Sequence, residues 1–103
     1  MGRIYQTALK RSVFYICAFE RENLIGFLDV VGNGVTDAYV QNFLVAADLH
    51  GRGIGTAMME LAVKRLTEMG IRAVWLIFDP ELEPYYRRFG FVTFLGGRLR
   101  LGP

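Results

Sequence analysis

The sequence predicts a single α/β domain, residues 1–103, in which a mixed, mostly antiparallel sheet and two helices follow in the order β-β-β-α-β-α-β-β. Two observations lead to this prediction. Short segments rich in β-branched and aromatic residues, separated by turn residues, fill the first half of the chain. The second half opens with apolar residues at helical spacing and then returns to strand-like segments. A chain of 103 residues is long enough for one hydrophobic core and too short for two.

Three strands are predicted in the first half, at residues 12–20, 24–31 and 37–47. The segment between the first two is a short polar turn, and Gly32-Asn33-Gly34 is typical of a tight hairpin. The three strands are therefore expected to form an antiparallel meander. Residues 4–11 are expected to be the end of a helix.

The second half begins with a helix from Ile54, because its apolar residues recur every three or four positions and Gly70 follows where a helix C-terminus belongs. Residues 71–79 have few polar positions, which predicts a strand buried on both faces. Residues 80–89 start with proline and acid, which favours a short helix. Residues 90–94 and 98–101 are predicted to be two short closing strands.

The composition excludes several functional classes. The net charge is +2 and the basic residues are scattered, so a nucleic-acid partner is not expected. The apolar runs are too short to span a membrane, and the first twelve residues lack the apolar core of a signal peptide. The single cysteine, Cys17, is expected to be a buried strand residue, and one unpaired thiol suits a reducing cytoplasm.

Three glycines at alternate positions, Gly51, Gly53 and Gly55, directly precede the long helix. Backbone N–H groups converging at a helix N-terminus form an anion site, and Arg52 adds a positive charge. The segment fails the P-loop pattern, because no lysine follows Gly55. It also fails the dinucleotide fingerprint, because neither register has glycine or alanine at the third position.

The segment His50-Gly51-Arg52-Gly53-Ile54-Gly55 resembles the first signature motif of the GNAT superfamily, the acyl-CoA N-acyltransferases. The stretch from Glu83 to Phe91 resembles the second signature of that family, a tyrosine followed four residues later by Gly-Phe. The two motifs stand in the family's order, separated by a helix and a strand. The resemblance implies a GNAT-type sheet that lacks the usual first strand and most of the first two helices.

The resemblance also implies the site. Acetyl-CoA would be the co-substrate, with no metal, and its pyrophosphate would lie on backbone amides of Gly51, Arg52, Gly53, Gly55 and Thr56. His50 stands where the family has glutamine or arginine, and an exposed turn residue is the alternative interpretation. Phe43, Leu44 and Val45 match the bulged strand that binds the pantetheine arm. A backbone N–H there would polarise the thioester carbonyl.

Two further residues match family positions. Tyr86 aligns with the general acid that protonates the leaving thiolate, although its place in a helical apolar stripe also suits a core residue. Asp79 stands where relatives have an asparagine that contacts the pantetheine arm, and a helix N-cap is the alternative. The general base is not identified by the resemblance: Gln41 and Asn42 take no proton, which leaves Asp29, Asp37 or a water chain.

The short N-terminal region leaves two function classes open. One is an N-acetyltransferase that acts by direct transfer on a small-molecule or protein amine. The other is an acyl-CoA-binding module without turnover. Because no strand is expected beside residues 12–20, that edge of the sheet should be uncovered, which predicts a homodimer.

Overall fold

The computed structural model of the chain describes residues 2–7 and 13–103. Five strands form one sheet in the order β1-β2-β3-β4-β5, in which the first three neighbouring pairs are antiparallel and β4 and β5 are parallel. The elements are β1 (Arg3–Thr7), β2 (Phe14–Glu20), β3 (Asn23–Gly32), β4 (Asp37–Val45), α1 (Ile54–Glu68), β5 (Ala73–Leu76) and α2 (Glu83–Arg87). One-turn 3₁₀ helices span Ala47–Leu49 and Pro80–Leu82. The mixed α/β class and its mostly antiparallel sheet are confirmed.

The start of the chain differs from the prediction. Residues 4–7, expected to be part of a helix, belong to strand β1, and residues 8–12 lie outside the described part. β1 pairs antiparallel with β2 from Arg3 opposite Phe19 to Thr7 opposite Tyr15. The expectation that no strand lies beside residues 12–20 is therefore wrong. The uncovered edge that motivated a homodimer is absent, so the homodimer stays a prediction without that support.

The predicted meander is confirmed as β2, β3 and β4. The β3–β4 hairpin is closed by Asn33, whose side-chain oxygen accepts backbone N–H groups of Val35, Thr36 and Asp37 at 2.8, 2.9 and 3.2 Å. This is the local side chain to backbone bonding that makes asparagine favourable in turns. β4 ends at Val45, two residues before the predicted end, where the chain enters the first 3₁₀ helix.

Helix α1 confirms the helical spacing and contributes its apolar side to the core. Its buried side chains, Met58, Met59, Ala62 and Leu66, join a cluster with buried residues of the sheet such as Ile16 and Leu28. Gly70 follows the helix with φ +80°, the left-handed conformation expected of a terminating glycine. One face of the sheet is thereby covered by α1.

The last third of the chain departs furthest from prediction. β5 has four residues, and Trp75 and Ile77 are 47% and 77% exposed, so a strand buried on both faces is wrong. The short helix predicted at 80–89 is present as a 3₁₀ turn followed by α2. Residues 91–103 form no strand, which corrects both closing strands. Alternating apolar residues form a stable strand only where a neighbour completes the ladder.

Candidate functional site

The sheet opens between β4 and β5. The two strands pair only from Asp37 opposite Ala73 to Val40 opposite Leu76, whereas β4 continues to Val45. A register shift marks where they part: Asp29 and Val30 of β3 oppose Asn42 and Val40, so Gln41 is an extra residue in β4. Such a bulge bends a strand and increases its twist. Among the described residues, none pairs with 41–45 on the β5 side, which matches the bulged strand that the family resemblance implied.

The hydrogen bonding of β4 shows which backbone groups face this open edge. The Ala46 N–H donates to the Ile25 carbonyl at 2.8 Å and therefore points toward β3. The peptide bond between Val45 and Ala46 is trans, so the Val45 carbonyl, on the other side of the same peptide unit, points away from β3. Because backbone direction alternates along an antiparallel pair, Phe43 also presents its N–H and C=O to the open edge.

The glycine loop follows β4 directly. Gly51 and Gly53 have φ +83° and +80°, the left-handed conformation that glycine adopts without strain. Gly53 is the N-cap of α1, no side chain caps the helix, and its first turn holds no acidic residue. The first N–H groups of a 15-residue helix are thus left for a ligand, at the positive end of its dipole. Arg52, in the loop, is exposed.

The third glycine has a different role. A Cβ on Gly55 would lie 3.2 Å from the Tyr85 hydroxyl, 3.3 Å from Phe43 Cζ and 3.4 Å from Val45 Cγ2. Gly55 therefore allows the first turn of α1 to lie close against the residues that line the open edge. Ile54, part of the motif, packs its side chain against the core.

His50 connects the loop to the open edge. Its Nε2 lies 2.8 Å from the Val45 carbonyl oxygen, and since a carbonyl only accepts, Nε2 carries the hydrogen. The side chain is exposed, as the turn interpretation expected. Its contact with β4 was not anticipated from the sequence.

Tyr86 lies in the core, as one of its two interpretations expected, and its role as general acid stays a prediction. Its side chain is 7% exposed and its ring packs among those of Phe78, Tyr85, Phe91 and Phe43, at centroid distances of 4.8, 5.1, 6.0 and 6.4 Å. Within residues 2–7 and 13–103, every fully buried side-chain oxygen has a hydrogen-bond partner. The Tyr86 hydroxyl has no hydrogen bond to these residues. It is therefore not fully buried and reaches solvent. Burial, and secondarily Tyr85, raises the pKa of Tyr86, which keeps the phenol protonated.

Tyr85 is a site residue that sequence reasoning missed. Its hydroxyl lies 3.3 Å from Thr56 Oγ1, which joins the second motif to the start of α1, and the Arg88 guanidinium lies 5.8 Å from its ring centroid. The only signal for Tyr85 in the sequence is its place in an apolar stripe at helical spacing, formed by Leu82, Tyr85, Tyr86 and Phe89. Nothing in that spacing distinguishes a packing tyrosine from one that contacts the loop.

The remaining candidate residues differ in their position on the strands, their exposure and their hydrogen bonds. Asp79 immediately precedes the second 3₁₀ helix and is exposed, but its side chain makes no capping hydrogen bond. Leu44 is 65% exposed, while Phe43 and Val45 are half-buried against the core. Asp37 lies at the start of β4 and accepts a hydrogen bond from Trp75 Nε1 at 2.9 Å, whereas Asp29 stands opposite Asn42, beside the bulge.

Other chemistries find little basis in the described part of the chain. Within it, no three side chains of the histidine, cysteine, aspartate or glutamate type come close enough together to hold a metal ion. No helix there has the length and apolar character needed to cross a membrane. Cys17 lies on β2 and is half-buried, and burial raises the pKa of its thiol, which disfavours the nucleophilic thiolate.

The chain is similar to known acetyltransferases. It is 26% identical over 89 residues to ycf52, an uncharacterized N-acetyltransferase of Porphyra purpurea, with 82% of this chain and 51% of that protein covered. It is 33% identical over 67 residues to the chloroplastic serotonin N-acetyltransferase 2 of Oryza sativa subsp. japonica, with 65% and 34% covered. The chain thus spans about half, or less, of the length of these relatives.

Two solved structures show the same fold. A GNAT-family acetyltransferase from Streptococcus pneumoniae superposes with a TM-score of 0.81 at 17% identity, covering 99% of this chain and 98% of that one. Glucosamine-6-phosphate N-acetyltransferase from Arabidopsis thaliana gives a TM-score of 0.77 at 14% identity, covering 85% and 65%. The sequence model described as the acetyltransferase (GNAT) family matches residues 2–91. This chain therefore belongs to the GNAT family of acetyltransferases.

Proposed function

We propose that this chain transfers an acetyl group from acetyl-CoA directly to the nitrogen of an amine. One observation carries the proposal: the open edge of β4 leads without interruption into the glycine loop at the start of α1. An extended, amide-bearing arm and a pyrophosphate are joined in the same order in CoA. The site therefore offers strand-like pairing for the first and backbone N–H groups for the second.

The residues at the open edge fit this substrate. The pyrophosphate would accept hydrogen bonds from the loop between Gly51 and Thr56, beside the exposed Arg52. The pantetheine arm would pair with the backbone of Phe43 and Val45, whose polar groups face the gap left by β5. A backbone N–H on that edge would stabilise the negative charge that develops on the thioester oxygen during attack.

Tyr86 suits the role of general acid. In the reaction the amine nitrogen forms a bond to the carbonyl carbon, the bond from that carbon to sulfur breaks, and the sulfur needs a proton. The Tyr86 phenol is held by its aromatic neighbours next to Phe43, and burial raises its pKa, so the proton is present at neutral pH. A positioned acid of this kind contributes on the order of 10²–10⁴ in rate.

Asp29 is the better placed of the two acidic candidates for the base. It stands opposite Asn42 at the bulge, whereas Asp37 lies at the far end of β4 and its pKa is lowered by hydrogen bonds from Trp75 and Thr36. A lowered pKa makes a carboxylate a weaker base. Asp29, directly or through a water, would take the proton that the amine loses.

Acyl-CoA binding without turnover is the second candidate function. Between Gln41 and Val45 no side chain on β4 can take a proton at neutral pH, so catalysis depends on a residue from another strand. An acetyl-CoA that binds and is never consumed would suit a module within an assembly. We also propose that the chain forms a homodimer and works in a reducing cytoplasm, to which the unpaired thiol of Cys17 is suited.

Two measurements test the proposed function. Titration calorimetry with CoA measures binding, and a screen of amines with release of free CoA as the readout measures turnover. The name of the rice relative adds serotonin to the amines to be screened. Binding together with amine-dependent release supports the transferase, binding without release across the screen supports the module, and absence of CoA binding contradicts both.

A further inference from the structure

We propose that His50 acts as a latch on the open edge of β4, which it covers in the ligand-free protein and must leave when the pantetheine arm binds. The inference rests on the proposed binding of CoA. It starts from one contact, the hydrogen bond from His50 Nε2 to the Val45 carbonyl at 2.8 Å. No step of the acetyl transfer described above uses this contact.

The direction of the Val45 carbonyl decides whether the His50 imidazole obstructs the open edge of β4. It points away from β3, into the space from which β5 has departed. A strand added to an edge lies about 4.7–4.9 Å from it and bonds to every second residue. The His50 Nε2, 2.8 Å from the Val45 carbonyl oxygen, lies in the space that such an added strand would occupy. The imidazole and an extended ligand therefore compete for the same space, even though a carbonyl oxygen could accept two hydrogen bonds.

The latch is weak enough to open. His50 is exposed and follows the short 3₁₀ helix Ala47–Leu49, so its side chain can rotate into solvent without disturbing the core. A single intramolecular hydrogen bond has a modest net free energy, because water competes for both partners. Removing the His50 side chain should therefore raise the affinity for the pantetheine arm on the order of two- to tenfold.

The first test reads the imidazole itself. His50 is the one histidine in the sequence, so its ring nitrogens give a single set of signals in ¹⁵N NMR of the tag-free protein. The ligand-free spectrum should show the tautomer with hydrogen on Nε2, and saturation with pantetheine should shift it toward the mixture of a solvated imidazole. A ring that keeps its Nε2 hydrogen bond at saturation would overturn the latch.

The second test separates the arm from the nucleotide. Pantetheine should bind His50→Ala about two- to tenfold more tightly than the wild type, whereas adenosine 3′,5′-bisphosphate, which has no arm, should show no such gain. Asp48→Asn is the matched control, since Asp48 is also exposed in the same turn. Unchanged or weaker pantetheine binding by His50→Ala overturns the latch. Failure of the wild type to bind CoA would overturn the proposed function first and the latch with it.

Discussion

The ring of Tyr86 lies 4.8 Å, centroid to centroid, from the ring of Phe78, the second residue after β5. The ring of Tyr86 also lies 6.4 Å, centroid to centroid, from that of Phe43 in β4. The tyrosine thus bridges the two strands where they have stopped pairing. Its hydroxyl is left without a protein partner in residues 2–7 and 13–103, which is the state required of a group that serves a ligand.

Replacing Tyr86 by phenylalanine tests this assignment. The ring contacts are retained, so the melting temperature should change little, while kcat should fall roughly 10²–10⁴-fold if the phenol is the acid. Tyr85→Phe is the matched control: it removes a hydroxyl one residue away that contacts Thr56 Oγ1. Steady-state kinetics with an accepted amine provides the measurement. Full activity in Tyr86→Phe would restrict Tyr86 to packing.

Gly53 and Gly55 should respond differently to a larger side chain. A Cβ at Gly53 meets no atom within 4 Å, but its φ of +80° disfavours any other residue, so Gly53→Val should cost about 1–2 kcal/mol and distort the loop. Gly70→Val carries the same backbone strain at the other end of α1. CoA affinity, measured by calorimetry, should fall in Gly53→Val and not in Gly70→Val. Equal affinities in the two folded variants would place the site elsewhere.

Gly55→Val should destabilise the protein by crowding neighbouring side chains rather than by straining the backbone. The added atoms would meet the Tyr85 hydroxyl and the side chains of Phe43 and Val45 at 3.2–3.4 Å from Cβ alone. Overpacking of this kind costs roughly 1–3 kcal/mol, so chemical denaturation should show a clear loss of stability. Gly96→Val is the comparison, since nothing lies within 4 Å of its Cβ and its φ lies outside the left-handed region. Gly55→Ala should be tolerated better than Gly55→Val, and the reverse order would contradict this account.

The sequence predicted the parts of the fold that local chemistry controls. The Asn33 turn, the spacing of α1 and the terminating Gly70 all follow from interactions within a few residues, and the structure confirms them. The glycine loop was predictable for the same reason. What the sequence could not give was the use of each glycine, because close packing at Gly55 depends on residues from β4 and α2.

Which segments form the edge strands of the sheet was harder to predict from the sequence. Whether residues 4–7 form a helix or a strand is decided by the exposed edge of β2, which recruits them as β1. Conversely, residues 90–94 alternate like a strand and find no neighbour to pair with in the described chain. The contact of His50 with Val45 was likewise hidden, since it depends on the direction of one peptide unit. Tertiary partners, rather than local propensity, decide these cases.

Detaching β1 should expose the edge of β2 that β1 covers, and an uncovered edge favours association. Ile4 packs its side chain against the core, so Ile4→Asp should displace the strand. Backbone amides of Phe14–Glu20 that face β1 should then exchange faster with solvent, and light scattering should show concentration-dependent association. Tyr5→Asp, with the same charge on the exposed side of β1, is the control. A monodisperse Ile4→Asp variant with unchanged exchange would show that β1 does not protect this edge.

A side-chain hydrogen bond between Trp75 and Asp37 links β5 to β4 on the paired side of the opening. Trp75 Nε1–H donates to Asp37 Oδ2 at 2.9 Å, and this bond, with a smaller one from Thr36, lowers the pKa of Asp37 from its ordinary value of 3.8. A carboxyl with a lowered folded pKa stabilises the protein above its unfolded pKa, and that stability is lost as the pH falls through the folded pKa. Trp75 is the one tryptophan in the sequence, so the indole emission comes from this residue alone.

We therefore expect an acid transition in Trp75 emission with a midpoint below pH 3.8, because protonation of Asp37 removes the charged acceptor. Asp37→Asn keeps an oxygen that can accept the indole hydrogen but does not titrate, so the transition should disappear. Asp48→Asn, exposed and on a different segment, should retain it. A transition that persists in Asp37→Asn, or a wild-type midpoint above 3.8, would show that this hydrogen bond does not couple the two strands where the opening begins.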